Sequence, residues 1–118
     1  MKSILVVEDN PVNMKLIKEL IELMGYQSHE AYRGLDALQL LETGTPDLII
    51  SDIQLPDIDG ISLIQKIKLD GRLSSVPIIV LSADSRIMEL AQKAGADDYI
   101  MKPFNIKDFM GKINAYLL

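Results

Sequence analysis

"DLIISDIQLPDIDG", residues 47–60, decides the fold of this chain. Its first half is a short apolar run of the kind that a strand buried on both faces requires. The run feeds straight into Asp52, after which Pro56 and Gly60 punctuate a turn before a helical pattern begins. Charges are normally excluded from the end of a buried strand, so Asp52 needs a chemical reason to be there.

Outward from this stretch the same alternation recurs. "SILVV" (3–7) is a second apolar, β-branched run. Asn10 and Pro11 start a helix whose stripe is Ile17, Leu20, Ile21 and Met24, and Gly25 stops it. "QSHEA" (27–31) reads as a shorter, more polar strand near an edge, and "GLDALQLLET" (34–43) as the second helix. The third strand is "DLIIS" (47–51), the third helix "GISLIQKIKL" (60–69) and the fourth strand "VPIIVLSA" (76–83). "RIMELAQKAG" (86–95), "DDYIM" (97–101) and "IKDFMGKINAYL" (106–117) complete the pattern as helix, strand and helix. Strands alternating with helices imply an α/β fold with a five-stranded parallel sheet covered on both faces. The expected form is the three-layer, flavodoxin-like (βα)5 arrangement with strand order 2-1-3-4-5. Ligands then sit beyond the carboxyl ends of the strands, at the switch point between the first and third.

Composition bounds what such a domain can do. One domain, 1–118, is expected from 118 residues, of which 48% are hydrophobic and 25% charged. A formal net charge of -5 argues against direct binding of nucleic acid or an anionic membrane surface. The absence of cysteine excludes disulfides, thiolate catalysis and zinc clusters. The apolar run Ile4–Val7 is too short for a signal peptide or an inserted segment, so no membrane insertion is expected and the cytoplasm is the expected location.

Glu8 and Asp9 follow the first strand, Asp52 the third, Ser82 the fourth and Lys102 the fifth. Taken singly each has an ordinary explanation as a cap, a loop hydroxyl or a surface charge. Asp57 and Asp59 read as the turn and cap leading into the third helix, and the lone His29 as structural. Together, in a 2-1-3-4-5 sheet, three carboxyl groups converge, and like charges that close require a proton or a cation. Oxygen donors without His or Cys suit Mg2+. Metal, ammonium and hydroxyl would cradle a phosphoryl group, with Asp52 as the nucleophile because no His, Cys or Ser–His pair is available.

That order resembles the receiver domain of two-component response regulators, in the manner of the chemotaxis regulators. The likeness runs through "ILVVEDN" (4–10), "DLIISDIQLPDIDG" (47–60), "PIIVLSA" (77–83) and "AGADDYIMKPF" (94–104). It implies Asp52 as phosphoacceptor, and Glu8, Asp9, Asp52 and the backbone carbonyl of Gln54 as ligands of Mg2+. It also implies Ser82, Ala83 and Lys102 around the phosphoryl group, a cis bond before Pro103, and Tyr99 as an aromatic that swings inward with Ser82. The donor would be a histidine kinase or a histidine phosphotransfer protein. The output would be a changed affinity for a downstream protein at the fourth helix, fifth strand and fifth helix. Such a domain is a signalling switch, not an enzyme, beyond assisting its own phosphorylation and dephosphorylation.

Two features depart from the family pattern. Ser82 replaces the commoner threonine, and the stretch from Ser82 to Lys102 is slightly short, with the loss falling in "DSRIME" (84–89). The chain closes with its last helix, as either a stand-alone regulator or a receiver excised from a hybrid protein would. Two rivals stand beside the switch. A receiver-like adaptor would dock partners without phosphorylation, but it would not need the acids, Ser82 and Lys102. A haloacid-dehalogenase-type phosphatase would carry a second aspartate where Gln54 stands.

Overall fold

The computed structural model describes residues 1–118. Its elements are β1 (Ser3–Val7), α1 (Pro11–Leu23), β2 (Gln27–Ala31), α2 (Gly34–Thr43), β3 (Leu48–Asp52), α3 (Gly60–Leu69), β4 (Ile78–Ser82), α4 (Ser85–Ala94), β5 (Asp98–Met101) and α5 (Ile106–Leu117). The strands form one parallel sheet in the order β2-β1-β3-β4-β5. This is the flavodoxin-like fold that the sequence implied.

Boundaries move where side chains and proline dictate. β3 runs on to Asp52, which pairs with Leu81, and the Ile53 N–H extends the ladder to the Leu81 carbonyl at 3.2 Å. β4 starts at Ile78, not Val76, because Pro77 offers no donor and the Val76 N–H turns back to the Leu73 carbonyl at 3.0 Å. α4 starts one residue early, at Ser85, because the Asp84 carboxylate caps it by accepting from the Arg86 N–H at 2.9 Å.

Alternating strand side chains build a core on each face of the sheet. Leu5, Ile49 and Val80 pack with Ala37, Leu41, Leu63, Ile67 and Ala91 from α2, α3 and α4. Ile4, Ile50 and Leu81 pack with Met14, Ile17, Ile21, Phe109 and Ile113 from α1 and α5. The central strands β3 and β4 are buried throughout, whereas polar β2 forms a half-exposed edge with His29 facing solvent.

The amino edge of the sheet is tied by side chains. The Ser3 N–H donates to Asp47 at 2.8 Å and the Ile78 N–H to Asp97 at 2.8 Å. Lys68 Nζ donates to the Val76 carbonyl at 2.9 Å, the Ser74 carbonyl at 3.3 Å and Asp97 at 3.2 Å. Gly95, at φ +122°, closes α4 against the Lys68 stem, where a Cβ would lie 2.7 Å from Cγ. The carboxyl edge carries the long loop Ile53–Asp59 and the charged groups. No helix is long and apolar enough to cross a membrane.

Candidate functional site

Each charged group reaches the carboxyl edge by a local rule. The Glu8 N–H continues the β1–β2 ladder to the Ala31 carbonyl at 3.0 Å, so its side chain is drawn fully out of solvent. Asp9, next along, stays exposed. Asn10 caps α1, its side chain accepting from the Val12 and Asn13 N–H groups at 2.9 and 3.1 Å. That cap turns Asn13 back over the strand end, where its amide donates to Glu8 Oε1 at 2.9 Å.

Asp52 ends β3 with its side chain buried, and Oδ1 accepts from the Gln54 N–H at 3.1 Å. Lys102 follows β5, where its N–H donates to the Ser82 carbonyl at 2.9 Å and the Lys102–Pro103 peptide is cis. Its ammonium lies 2.8 Å from Asp52 Oδ2 and 3.2 and 3.3 Å from the two Glu8 oxygens. Carboxylate oxygens of Glu8, Asp9 and Asp52 all fall within 4.8 Å of one another.

The electrostatics follow from two buried acids sharing one base. Burial, then the hydrogen bond and like charge of Asp52, lift the Glu8 carboxyl to about 7, against the pull of Asn13 and Lys102. Burial would lift Asp52 as well, but bonds from Glu8, Lys102 and the Gln54 N–H outweigh it and hold Asp52 below the usual carboxylate range. Burial works against the Lys102 charge, yet Asp52 and Glu8 more than compensate and raise it. Of the two, Glu8 is therefore the acid that holds a proton more readily and Asp52 the one that keeps its negative charge. An oxygen-only donor set that must borrow a proton to tolerate itself fits a small, hard divalent cation.

The structure gathers Glu8, Asp9, Asp52 and Lys102, but not every residue singled out in the sequence. Gln54 reaches the group through its N–H. The buried Ser82 hydroxyl is engaged in its own turn, accepting from the Asp84 N–H at 3.0 Å, while Ala83 beside it is exposed. Tyr99 points outward, 38% exposed, with Lys112 Nζ 5.0 Å from its ring centre. Lys112 in turn pairs with Asp98 at 2.6 Å. Met101 is also exposed, Ile100 is core, and Phe104 stacks on Phe109 at 4.9 Å.

One reading needs correction. Asp59 caps α3, accepting from the Ile61 N–H at 3.3 Å, but Asp57 does not serve that helix. Its two oxygens accept from the Gly34 and Leu35 N–H groups of α2, each at 2.9 Å. Asn13 was not read from the sequence at all. Its signal was available: it sits on the first helical turn behind the Asn10 cap, facing the strand ends.

Comparison with known proteins agrees with this geometry. A family model described as the response regulator receiver domain matches residues 4–114. The chain is 39% identical, over 98% of its length and 96% of the relative, to the polar-differentiation response regulator DivK of Brucella anthropi. It superposes with a TM-score of 0.92 on the signal receiver domain of a signal transduction histidine kinase from Syntrophus aciditrophicus, at 34% identity, covering 99% of this chain and 90% of that one. The receiver domain of a sensor histidine kinase from Pseudomonas aeruginosa, solved with a magnesium ion coordinated in its active-site cleft, gives 0.90 at 32% identity, covering 98% and 96%. Fold, acidic pocket and matched length converge, and the chain belongs to the response regulator receiver domain family of two-component signalling.

Proposed function

We propose that this domain is a phosphorylation-dependent switch in the cytoplasm, in which Asp52 accepts a phosphoryl group from a histidine kinase or a histidine phosphotransfer protein in a Mg2+-dependent reaction. The observation that carries the reading is the Lys102 ammonium held 2.8 Å from Asp52 Oδ2 beside two further acids. An Asp52 oxygen forms a bond to phosphorus as the P–N bond of the donor phosphohistidine breaks. The imidazole leaves with the electron pair of that bond and takes up a proton. Hydrolysis reverses the charge change: water attacks phosphorus, and the carboxylate and inorganic phosphate are released.

The chain's residues supply positioning and charge. Lys102 stays close enough to neutralise a phosphoryl oxygen where it now neutralises Asp52. Glu8, Asp9, Asp52 and the Gln54 backbone carbonyl would hold Mg2+, which when bound offsets the negative charge of the phosphoryl oxygens. Ser82 leaves the Asp84 N–H and donates to a phosphoryl oxygen, and the small side chain of Ala83 leaves room for it. Tyr99 then exchanges its outward position beside Lys112 for an inward one. The surface of α4, β5 and α5 is remodelled, and a downstream protein gains or loses its site.

Intact-mass spectrometry after incubation with acetyl phosphate tests this directly. The expected result is a single phosphoryl adduct that requires Mg2+ and is absent from Asp52→Asn. Uptake that persists in Asp52→Asn would assign the acceptor elsewhere.

A further inference from the structure

The β3–α3 loop, Ile53–Asp59, carries Gln54 at one end and is fastened to a helix that contributes nothing else to the pocket. Asp57 accepts from the Gly34 and Leu35 N–H groups with both oxygens at 2.9 Å. These are the free donors at the amino end of α2, where the preceding Arg33 side chain makes no capping bond. Ile58 and Leu55 lie over Gly34, and a Cβ on Gly34 would fall 2.0 Å from Ile58 Cγ2. At its other end the loop is closed by the Gly60 N–H to the Ile53 carbonyl at 3.1 Å and by the Gln54 N–H to Asp52 at 3.1 Å. The backbone between Asp52 and Asp57 is thus strung between the acidic pocket and α2.

We infer that Asp57, with the bare backbone of Gly34 beneath Ile58, is a positioning residue for the metal side of the pocket. By docking the loop on the amino end of α2, it fixes where Gln54 sits relative to Glu8, Asp9 and Asp52. The inference rests on the reading of that pocket as a Mg2+ site. Asp57 itself touches none of the acids. Its effect passes through the backbone, as that of an outer residue orienting a ligand does.

The test uses Mg2+ titration of the full chain, followed by the amide resonances of Asp52, Ile53 and Gln54, with thermal unfolding recorded separately without metal. Asp57→Ala is expected to weaken Mg2+ binding about tenfold, within the range seen for outer-sphere partners. Asp57→Asn, which keeps one acceptor, should fall between it and the parent. Gly34→Ala should weaken binding similarly by pushing Ile58 away. Adding Ile58→Ala to it should restore the affinity, because the remaining Cβ–Cβ approach of 3.5 Å is ordinary contact. Variants that unfold earlier yet bind Mg2+ as the parent does would overturn the inference and leave Asp57 a helix cap only. A parent that binds no Mg2+ would overturn the metal reading itself, and this inference with it.

Discussion

Two of the lysine–carboxylate systems that cross between elements of this domain are built to different ends. Lys112 on α5 meets Asp98 on β5 at 2.6 Å, one charge against one, with both side chains about a third exposed. The Tyr99 N–H at 2.8 Å and the Tyr116 hydroxyl at 3.3 Å complete the hydrogen bonding of Asp98. Lys102 meets Asp52 at 2.8 Å and Glu8 at 3.2 Å, with Glu8 wholly buried and Asp9 close by. The first pair is complete. The second is short of positive charge, and a deficit buried at strand ends is what sets this pocket apart from a brace.

The deficit can be measured through Glu8. Its folded carboxyl stands at about 7 against an ordinary 4.5, so folding binds its proton. The resulting stabilisation is present in full below pH 4.5 and disappears as pH rises through 7, a swing of about 3 kcal/mol in metal-free protein. Chemical denaturation of wild type and Glu8→Gln with chelator present should differ by that pH-dependent amount. An identical pH dependence in the two proteins would break the contrast between pocket and brace.

Removing the single base should cost slightly less. Lys102→Met leaves buried acids without their cation and should lower stability by about 2 kcal/mol without metal, as well as abolish phosphoryl uptake. Mg2+ should recover part of that stability, read as a larger metal-dependent rise in the unfolding midpoint than wild type shows.

The smallest effect belongs to the brace. Burial would raise Asp98, but Lys112, the Tyr99 N–H and Tyr116 together hold it below its ordinary range. Its contribution is therefore present above the unfolded carboxylate value and is lost as pH falls through the lower folded one. For a partly exposed pair, Asp98→Asn should cost about 0.5 kcal/mol at neutral pH and nothing in strong acid. Mg2+ should not alter that cost.

Much of this was legible in the residues. The buried strands are apolar runs rich in β-branched residues, and two helices announce their starts with Asn10 and Asp59, which cap as side-chain acceptors. Once the alternation is read and the 2-1-3-4-5 order is taken with it, topology brings Glu8, Asp52 and Lys102 to one edge of the sheet. Contacts that join distant segments were not legible. Nothing in "PDIDG" tells that Asp57 looks to Gly34 while Asp59 looks to its own helix, because both fit a local turn equally well. Nor does "LSAD" reveal that the Ser82 hydroxyl is already occupied by the Asp84 N–H, since Asp84 had first to be placed as the cap of an early-starting α4.

The ties along the amino edge give the sheet a mechanical asymmetry. Lys68, Asp97 and Asp47 fasten that edge with side-chain bonds to backbone, and none of them belongs to the acidic pocket. The carboxyl edge is held differently, by bonds that converge on charged side chains: Lys102 on Asp52 and Glu8, and Asp57 on the amino end of α2. A change of charge at Asp52 would act first on those bonds and the loops they hold, because the ties of the amino edge involve none of the same residues.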